Sequence, residues 1–268
     1  MTDTSETRVV DGPTGPLALH VSGRLAGQTP VVLVHPINTG AVVWRQVIPL
    51  LQRPVVAIDL RGHGSSGLRG PFTVTDGYLL DVLAVLDALG LDTVHLAGGS
   101  LGGTISLALA ALHPARVHSV TTLGSTLGTG LPDAAIEQMV TDLTAVGSKQ
   151  YFADLVPQVV GPEFTAAPGL DETARVAGSR PEQTVAAILR AAFSSDIRDL
   201  APRVQAPVLA VAGTADPTCP PAMTEEIAAT TGGTVVTLAG VGHLPMVEVP
   251  DRVAELINRH TTNGASPR

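Results

Sequence analysis

Ser100 stands in Gly98-Gly99-Ser100-Leu101-Gly102, directly after the apolar run Val94 to Ala97 and before an uncharged stretch suited to a helix. A serine between glycines at a strand-to-helix junction is the setting in which an alcohol is presented as a nucleophile, because only glycines let the two backbones approach closely enough. An alcohol is a weak nucleophile at neutral pH, so the reading requires a base and an acceptor that orients the base. Asp216 follows the run ending at Ala212-Gly213, and His243 lies in Ala239-Gly240-Val241-Gly242-His243, after a run ending near Leu238. Each falls in a loop just past a predicted strand end, and the chain order Ser100, Asp216, His243 is the order such an elbow requires. An aspartate before Pro217 equally suits a turn cap.

Attack on a carbonyl also needs two N–H donors for the oxyanion. Leu101, next after Ser100 at a helix start, supplies one and gains from the positive helix end. The second is expected from the loop after Val31 to Val34, which reads His35-Pro36-Ile37-Asn38. Pro36 has no N–H, so Ile37 is the expected donor and Asn38 the fallback.

These residues need a rigid frame. Val31 to Val34, Val55 to Ile58, Val94 to Ala97, Val117 to Leu123, Val208 to Ala212 and Thr234 to Leu238 are continuous short apolar or β-branched runs, as expected of strands buried on both faces of a parallel sheet. Helical stretches at 78–89, 101–113, 222–229 and 251–260 separate or follow them, so the order reads β-α-β with helices on both faces. Arg8 to Val10 and Leu17 to Val21, separated by residues 11–15, predict an antiparallel hairpin at the sheet edge. From 125 to 203 the strand rhythm stops and helical pieces such as 134–145 and 182–193 alternate with prolines. A strandless stretch of that length between two strands reads as a helical cap. The predicted organisation is an α/β core of residues 1–124 and 204–268 with a cap or lid over 125–203.

Composition narrows the function classes. The 268 residues are 44% hydrophobic and 15% charged, enough apolar material for a sizeable core. The formal net charge is −8 and Lys149 is the only lysine, which disfavours nucleic acid as a partner. With Cys219 as the sole cysteine, an internal disulfide is impossible and cysteine-based metal sites lack ligands, so no metal is expected. No apolar run approaches the roughly 20 residues that cross a bilayer. The polar, acidic N-terminus lacks the basic start and apolar stretch of a secretory signal. The expectation is a soluble cytoplasmic protein.

Several motifs together resemble the α/β-hydrolase superfamily. They are Val34-His35-Pro36-Ile37 with Trp44, residues 59–67 reading Asp-Leu-Arg-Gly-His-Gly-Ser-Ser-Gly, Gly98 to Gly103, Gly213-Thr214-Ala215-Asp216, and Gly242-His243 with Glu248 and Pro250. The likeness runs from about Val9 to His260. It implies an α/β-hydrolase fold with a mostly parallel eight-stranded sheet flanked by helices and a helical cap inserted after the sixth strand. It further implies Ser100, Asp216 and His243 as a triad, and no cofactor, as in most hydrolytic members. Within the superfamily the chain looks most like 3-oxoadipate enol-lactonases and cofactor-free haloperoxidase-like esterases. Those lactonases usually carry another tetrapeptide where this chain has residues 35–38.

The expected substrate is a small-molecule ester or lactone, cleaved through an acyl-enzyme on Ser100. The same triad also serves C–C, thioester or amide cleavage, and a non-catalytic ligand-binding protein on this fold is the remaining rival. Epoxide hydrolysis or dehalogenation through an ester intermediate would want a carboxylate at position 100. Asn38, Met139, Phe152 and Ile188 are the candidate pocket residues, with Val156 and Phe193 beside them. Arg175, Arg180 and Arg190 are candidates for binding a substrate carboxylate, against solvation at the surface as the simpler expectation.

Overall fold

Strands whose every residue is apolar can be buried only if alternate side chains enter two separate cores. The computed structural model, which describes residues 5–263, shows this division. Its strands are β1 (Ser5–Gly12), β2 (Gly15–Ser22), β3 (Val31–Val34), β4 (Val55–Ile58), β5 (Val94–Gly99), β6 (Val117–Leu123), β7 (Val208–Gly213) and β8 (Thr234–Leu238). Val32, Val34, Val56, Ile58, Val208 and Ala210 enter one core. Val31, Leu33, Val55, Ala57, Leu209 and Val211 enter the other. The predicted core extends to residues 1–4 and 264–268, which lie outside the described residues.

The strands form one eight-stranded sheet in the order β1-β2-β4-β3-β5-β6-β7-β8. β1, β2 and β4 pair antiparallel and every other pairing is parallel. This is the α/β-hydrolase fold class expected from the sequence. The hairpin differs in detail: Asp11 pairs with Pro16 and Gly12 with Gly15, so only Pro13-Thr14 turn the chain instead of residues 11–15.

The helices are α1 (Leu79–Ala88), α2 (Leu101–Leu112), α3 (Asp133–Val159), α4 (Leu170–Ala177), α5 (Glu182–Phe193), α6 (Pro221–Thr231), α7 (Pro245–Glu248) and α8 (Pro250–Asn263). Helix α2 is buried along all but its last residue, which explains why it carries no charge. Between β6 and β7 stand α3, α4 and α5, which share a small core of their own around Leu143, Phe152, Val185 and Leu189. Helix α3 outruns the expected 134–145 and bends at Gly147, whose φ of 78° is one a side chain would strain. Among the described residues no helix is long and apolar enough to cross a membrane.

Candidate active site

Strand β5 passes into helix α2 through one residue. Ser100 adopts φ 48° and ψ −120°, a conformation that costs a non-glycine residue about 1–3 kcal/mol. Its neighbours hold it there: the Ser100 N–H donates to the Leu123 carbonyl at 2.8 Å, and its own carbonyl accepts from Gly103 at 2.9 Å. The glycines are required by contact. A Cβ on Gly98 would lie 2.3 Å from the Gly102 backbone, and one on Gly102 would lie 2.1 Å from the Val34 carbonyl oxygen. The Ser100 hydroxyl forms no hydrogen bond among the described residues.

Asp216 and His243 do meet. His243 Nδ1 and Asp216 Oδ2 are 2.8 Å apart, with both side chains buried. The other carboxylate oxygen, Oδ1, accepts from the backbone N–H groups of Thr218 and Cys219 at 2.8 and 2.9 Å. Asp216 is thus also the turn cap that its place before Pro217 suggests. An ionised carboxylate only accepts, so a neutral His243 carries its proton on Nδ1 and leaves Nε2 as a base. The pair lies close to Ser100 in the fold: Ser100 bonds Leu123, and a Cβ on the next residue, Gly124, would lie 2.9 Å from Asp216 Oδ2 and 3.3 Å from His243 Nδ1. Of the sequence-predicted trio the structure pairs His243 with Asp216, and no hydrogen bond joins His243 to Ser100 among the described residues, a link that is often loose before substrate binds.

The loop that carries His243 is tied down by Glu248, a side chain whose role sequence reasoning missed. Its Oε2 accepts from Gly161 at 2.8 Å and Gly242 at 2.6 Å, and its Oε1 from Leu244 at 2.9 Å. The His243 N–H donates to the Val159 carbonyl at 2.7 Å. Three N–H groups converging on one buried carboxylate join the end of α3 to the histidine loop. Glu248→Gln turns one of the two acceptor oxygens into a donor. It is expected to cost about 1–3 kcal/mol, seen as a lower urea midpoint at unchanged slope.

The N–H groups of Leu101 and Ile37 have no partner among the described residues, as two oxyanion donors require. The fallback is corrected: the Asn38 N–H donates to His63 Nε2 at 3.1 Å and is not free. Two buried histidines shape this loop. His35 Nδ1 donates to the Pro36 carbonyl at 2.7 Å, and its Nε2 accepts from Leu60 at 3.0 Å. His63 Nδ1 donates to the Arg61 carbonyl at 2.9 Å. Burial pulls the pKa of His35 down to about 4 and that of His63 well below its usual value, with Arg180 adding to the depression at both.

Both rings are neutral in the fold at pH values where the unfolded chain protonates them. The unfolded state therefore binds more protons below pH 6.5, and stability falls on acidification between 6.5 and about 4. His35 alone is expected to remove on the order of 3 kcal/mol across that window. Urea midpoints recorded at pH 7 and pH 5 check the sign; an equal or higher midpoint at pH 5 contradicts it.

Above the strand ends lies a cavity of about 490 Å³, walled chiefly by α3, α4, α5 and the loop of residues 36–39. Asn38, Met139, Phe152, Val156 and Phe193 line it together with His243. Ile188 does not. It is fully buried in the sheet core, and a Cβ on Gly62 would lie 2.7 Å from its Cδ1. Helical spacing put Ile188 on an apolar face, and that face turns to the sheet. Ser100 and Leu101 border a second, smaller space of about 40 Å³, with Ile37 lining both.

The arginines divide. Arg190 pairs with Glu137 and Arg175 with Glu172 in solvent, as the simpler expectation has it. Arg180 departs from that expectation and is 6% exposed. Nothing local in the sequence marks it, because two of its three hydrogen-bond partners, Gly62 and Asn38, lie 118 and 142 residues away.

Residues 31–256 match the model described as the alpha/beta hydrolase family. The acetyltransferase component of an acetoin-cleaving system from Pseudomonas putida is 36% identical over 159 residues, which are 56% of this chain and 41% of that protein. The 3-oxoadipate enol-lactonase 1 of Acinetobacter baylyi is 29% identical over 196 residues, covering 70% of this chain and 71% of its own. Among solved structures, the enol-lactonase from Burkholderia xenovorans superposes with a TM-score of 0.88 over 95% of this chain and 100% of its own, at 24% identity.

Proposed function

Because this chain belongs to the alpha/beta hydrolase family and is a hydrolase of that type, we propose that it cleaves a small-molecule carboxylic ester or lactone with Ser100 as nucleophile, His243 as base and Asp216 as the group that orients the base. Residues 125–203 act as the cap that walls the substrate cavity. Ser100 Oγ attacks the carbonyl carbon while His243 Nε2 takes its proton. The oxyanion is met by the N–H groups of Leu101 and Ile37. Collapse expels the alkoxide, which leaves as the alcohol with the proton from His243. Water then attacks the acyl-enzyme by the same route, releasing the acid and restoring Ser100.

One observation carries this reading: His243 Nδ1 is held 2.8 Å from an aspartate whose other oxygen is fixed by two backbone N–H groups. A rigid orienter of this kind does nothing for a merely structural histidine and much for a base. Support also comes from the two unpartnered N–H groups and from the strained Ser100 backbone.

Exposure to a fluorophosphonate, followed by peptide mass spectrometry, tests the nucleophile. The expected result is one adduct, on the peptide containing Ser100. Adduct formation elsewhere, or none under conditions that label known serine hydrolases, overturns the assignment. The two spaces also predict a size rule. The compartment of about 40 Å³ beside Ser100 takes little beyond the reacting carbonyl and a small substituent, and the bulkier part of the substrate enters the cavity of about 490 Å³. Lengthening one side of a test ester should therefore be tolerated and lengthening the other should depress kcat/KM, a contrast measurable with an acyl-chain and an alcohol-chain series.

A further inference from the structure

Arg180 enters the structure between α4 and α5 and is nine-tenths buried with no carboxylate partner among the described residues. Its Nη2 donates to Asn38 Oδ1 at 2.9 Å and to the Ala177 carbonyl at 3.2 Å, and its Nη1 donates to the Gly62 carbonyl at 3.2 Å. Its Nε is buried without a partner. The guanidinium carbon sits 5.9 Å from the centre of the Phe152 ring, itself a cavity-lining side chain.

A guanidinium has only donors, so the Asn38 carboxamide has one acceptable orientation: oxygen towards Arg180, nitrogen away from it. The backbone offers no slack to reverse this. Asn38 is held at φ 59°, and its N–H is committed to His63. Asn38 Nδ2 has no partner among the described residues, and Asn38 lines the larger cavity but not the small compartment beside Ser100. Two N–H donors thus stand unpaired at the wall of a mostly apolar chamber. An uncompensated cation lies directly behind them. A donor that faces such a chamber is matched by a ligand that brings an acceptor to it.

We propose that Asn38 is a specificity-determining residue that donates from Nδ2 to a second oxygen of the substrate, remote from the bond that breaks, and that Arg180 is the positioning residue that aims it. The substrate class is accordingly an ester or lactone bearing a further oxygen acceptor on the part that fills the larger cavity. Carboxylate is preferred over ketone because of the cation behind the amide, and ketone over plain alkyl. This rests on the hydrolase reading for its turnover but not for its binding.

The test compares mono-p-nitrophenyl glutarate, p-nitrophenyl 4-oxopentanoate and p-nitrophenyl pentanoate, with 5-acetoxypentanoate and pentyl acetate placing the same oxygen on the alcohol side. In one of the two sets wild-type kcat/KM should favour the carboxylate over the alkyl substrate by roughly 10- to 100-fold. Asn38→Ala should bring that ratio to within about threefold of one. Arg180→Met should lower the ratio, and Arg180→Lys, which still donates to Oδ1, should recover part of it. Loss of structure alone would lower all substrates together and leave the ratio unchanged, and far-ultraviolet circular dichroism shows whether each variant folds. Calorimetric binding of glutarate against pentanoate to wild-type and Asn38→Ala protein reads the same preference without turnover. A binding preference without hydrolysis would sink the proposed reaction and leave this inference standing. Equal rates in both sets with equal binding, or an Asn38→Ala protein with the wild-type ratio, overturns it.

Discussion

Ser100→Ala is expected to lower kcat by roughly 10⁴–10⁶-fold while leaving the thermal midpoint nearly unchanged. The second half of that expectation is specific to this structure. The Ser100 hydroxyl makes no hydrogen bond among the described residues, so its removal orphans no buried partner. The backbone at φ 48° is held by the bonds of Ser100 to Leu123 and Gly103, which alanine keeps. Alanine at that φ carries about the same strain as serine. The variant therefore separates chemistry from folding: a residue needed only for structure would lose stability first, whereas a nucleophile loses rate alone. Steady-state hydrolysis of an ester that the wild type turns over, set beside a melting curve, makes the comparison. A kcat within tenfold of wild type would remove Ser100 from the mechanism, and the non-catalytic rival would gain.

Asp216→Asn should cost kcat on the order of 10⁴-fold with little change in KM. The reason is the asymmetric surroundings of the two carboxylate oxygens. Oδ1 accepts from Thr218 and Cys219, two backbone donors that cannot turn away, so the amide oxygen of asparagine must take that place. The NH₂ group is then forced against His243 Nδ1, where Oδ2 now stands at 2.8 Å. Facing a donor, Nδ1 must accept, the ring proton moves to Nε2, and the base is lost on the side of Ser100. The fold should survive, because the turn keeps both bonds to Oδ1. The kinetic constants and the near-ultraviolet circular dichroism of the variant check the two statements together. A loss of less than about tenfold would mean that His243 does not depend on Asp216 for its tautomer.

Much of the frame was legible because strand and helix leave local signatures. Continuous apolar or β-branched runs marked β3 to β8, and Ser100, Asp216 and His243 were singled out by their positions after such runs. The amphipathic pieces of the cap were harder. Periodicity shows that α5 has an apolar face but not which neighbour covers it, and so Ile188 was assigned to the cavity while it packs over Gly62. Helix α4 went unrecognised altogether. Eight residues give too few turns for a firm periodic signal.

The amino-acid order by itself determined the strands of the sheet and the glycine-flanked turn at Ser100, and it marked Asp216 and His243, because each of these stands directly after an apolar run in the chain. Tertiary structure alone decided that Arg180 is buried against Asn38, that Glu248 gathers three N–H groups around the His243 loop, and that the Asn38 N–H is consumed by His63. Burial, hydrogen-bond commitment and the shift of a pKa arise between groups far apart in sequence, and no local pattern of residues encodes the distance between them.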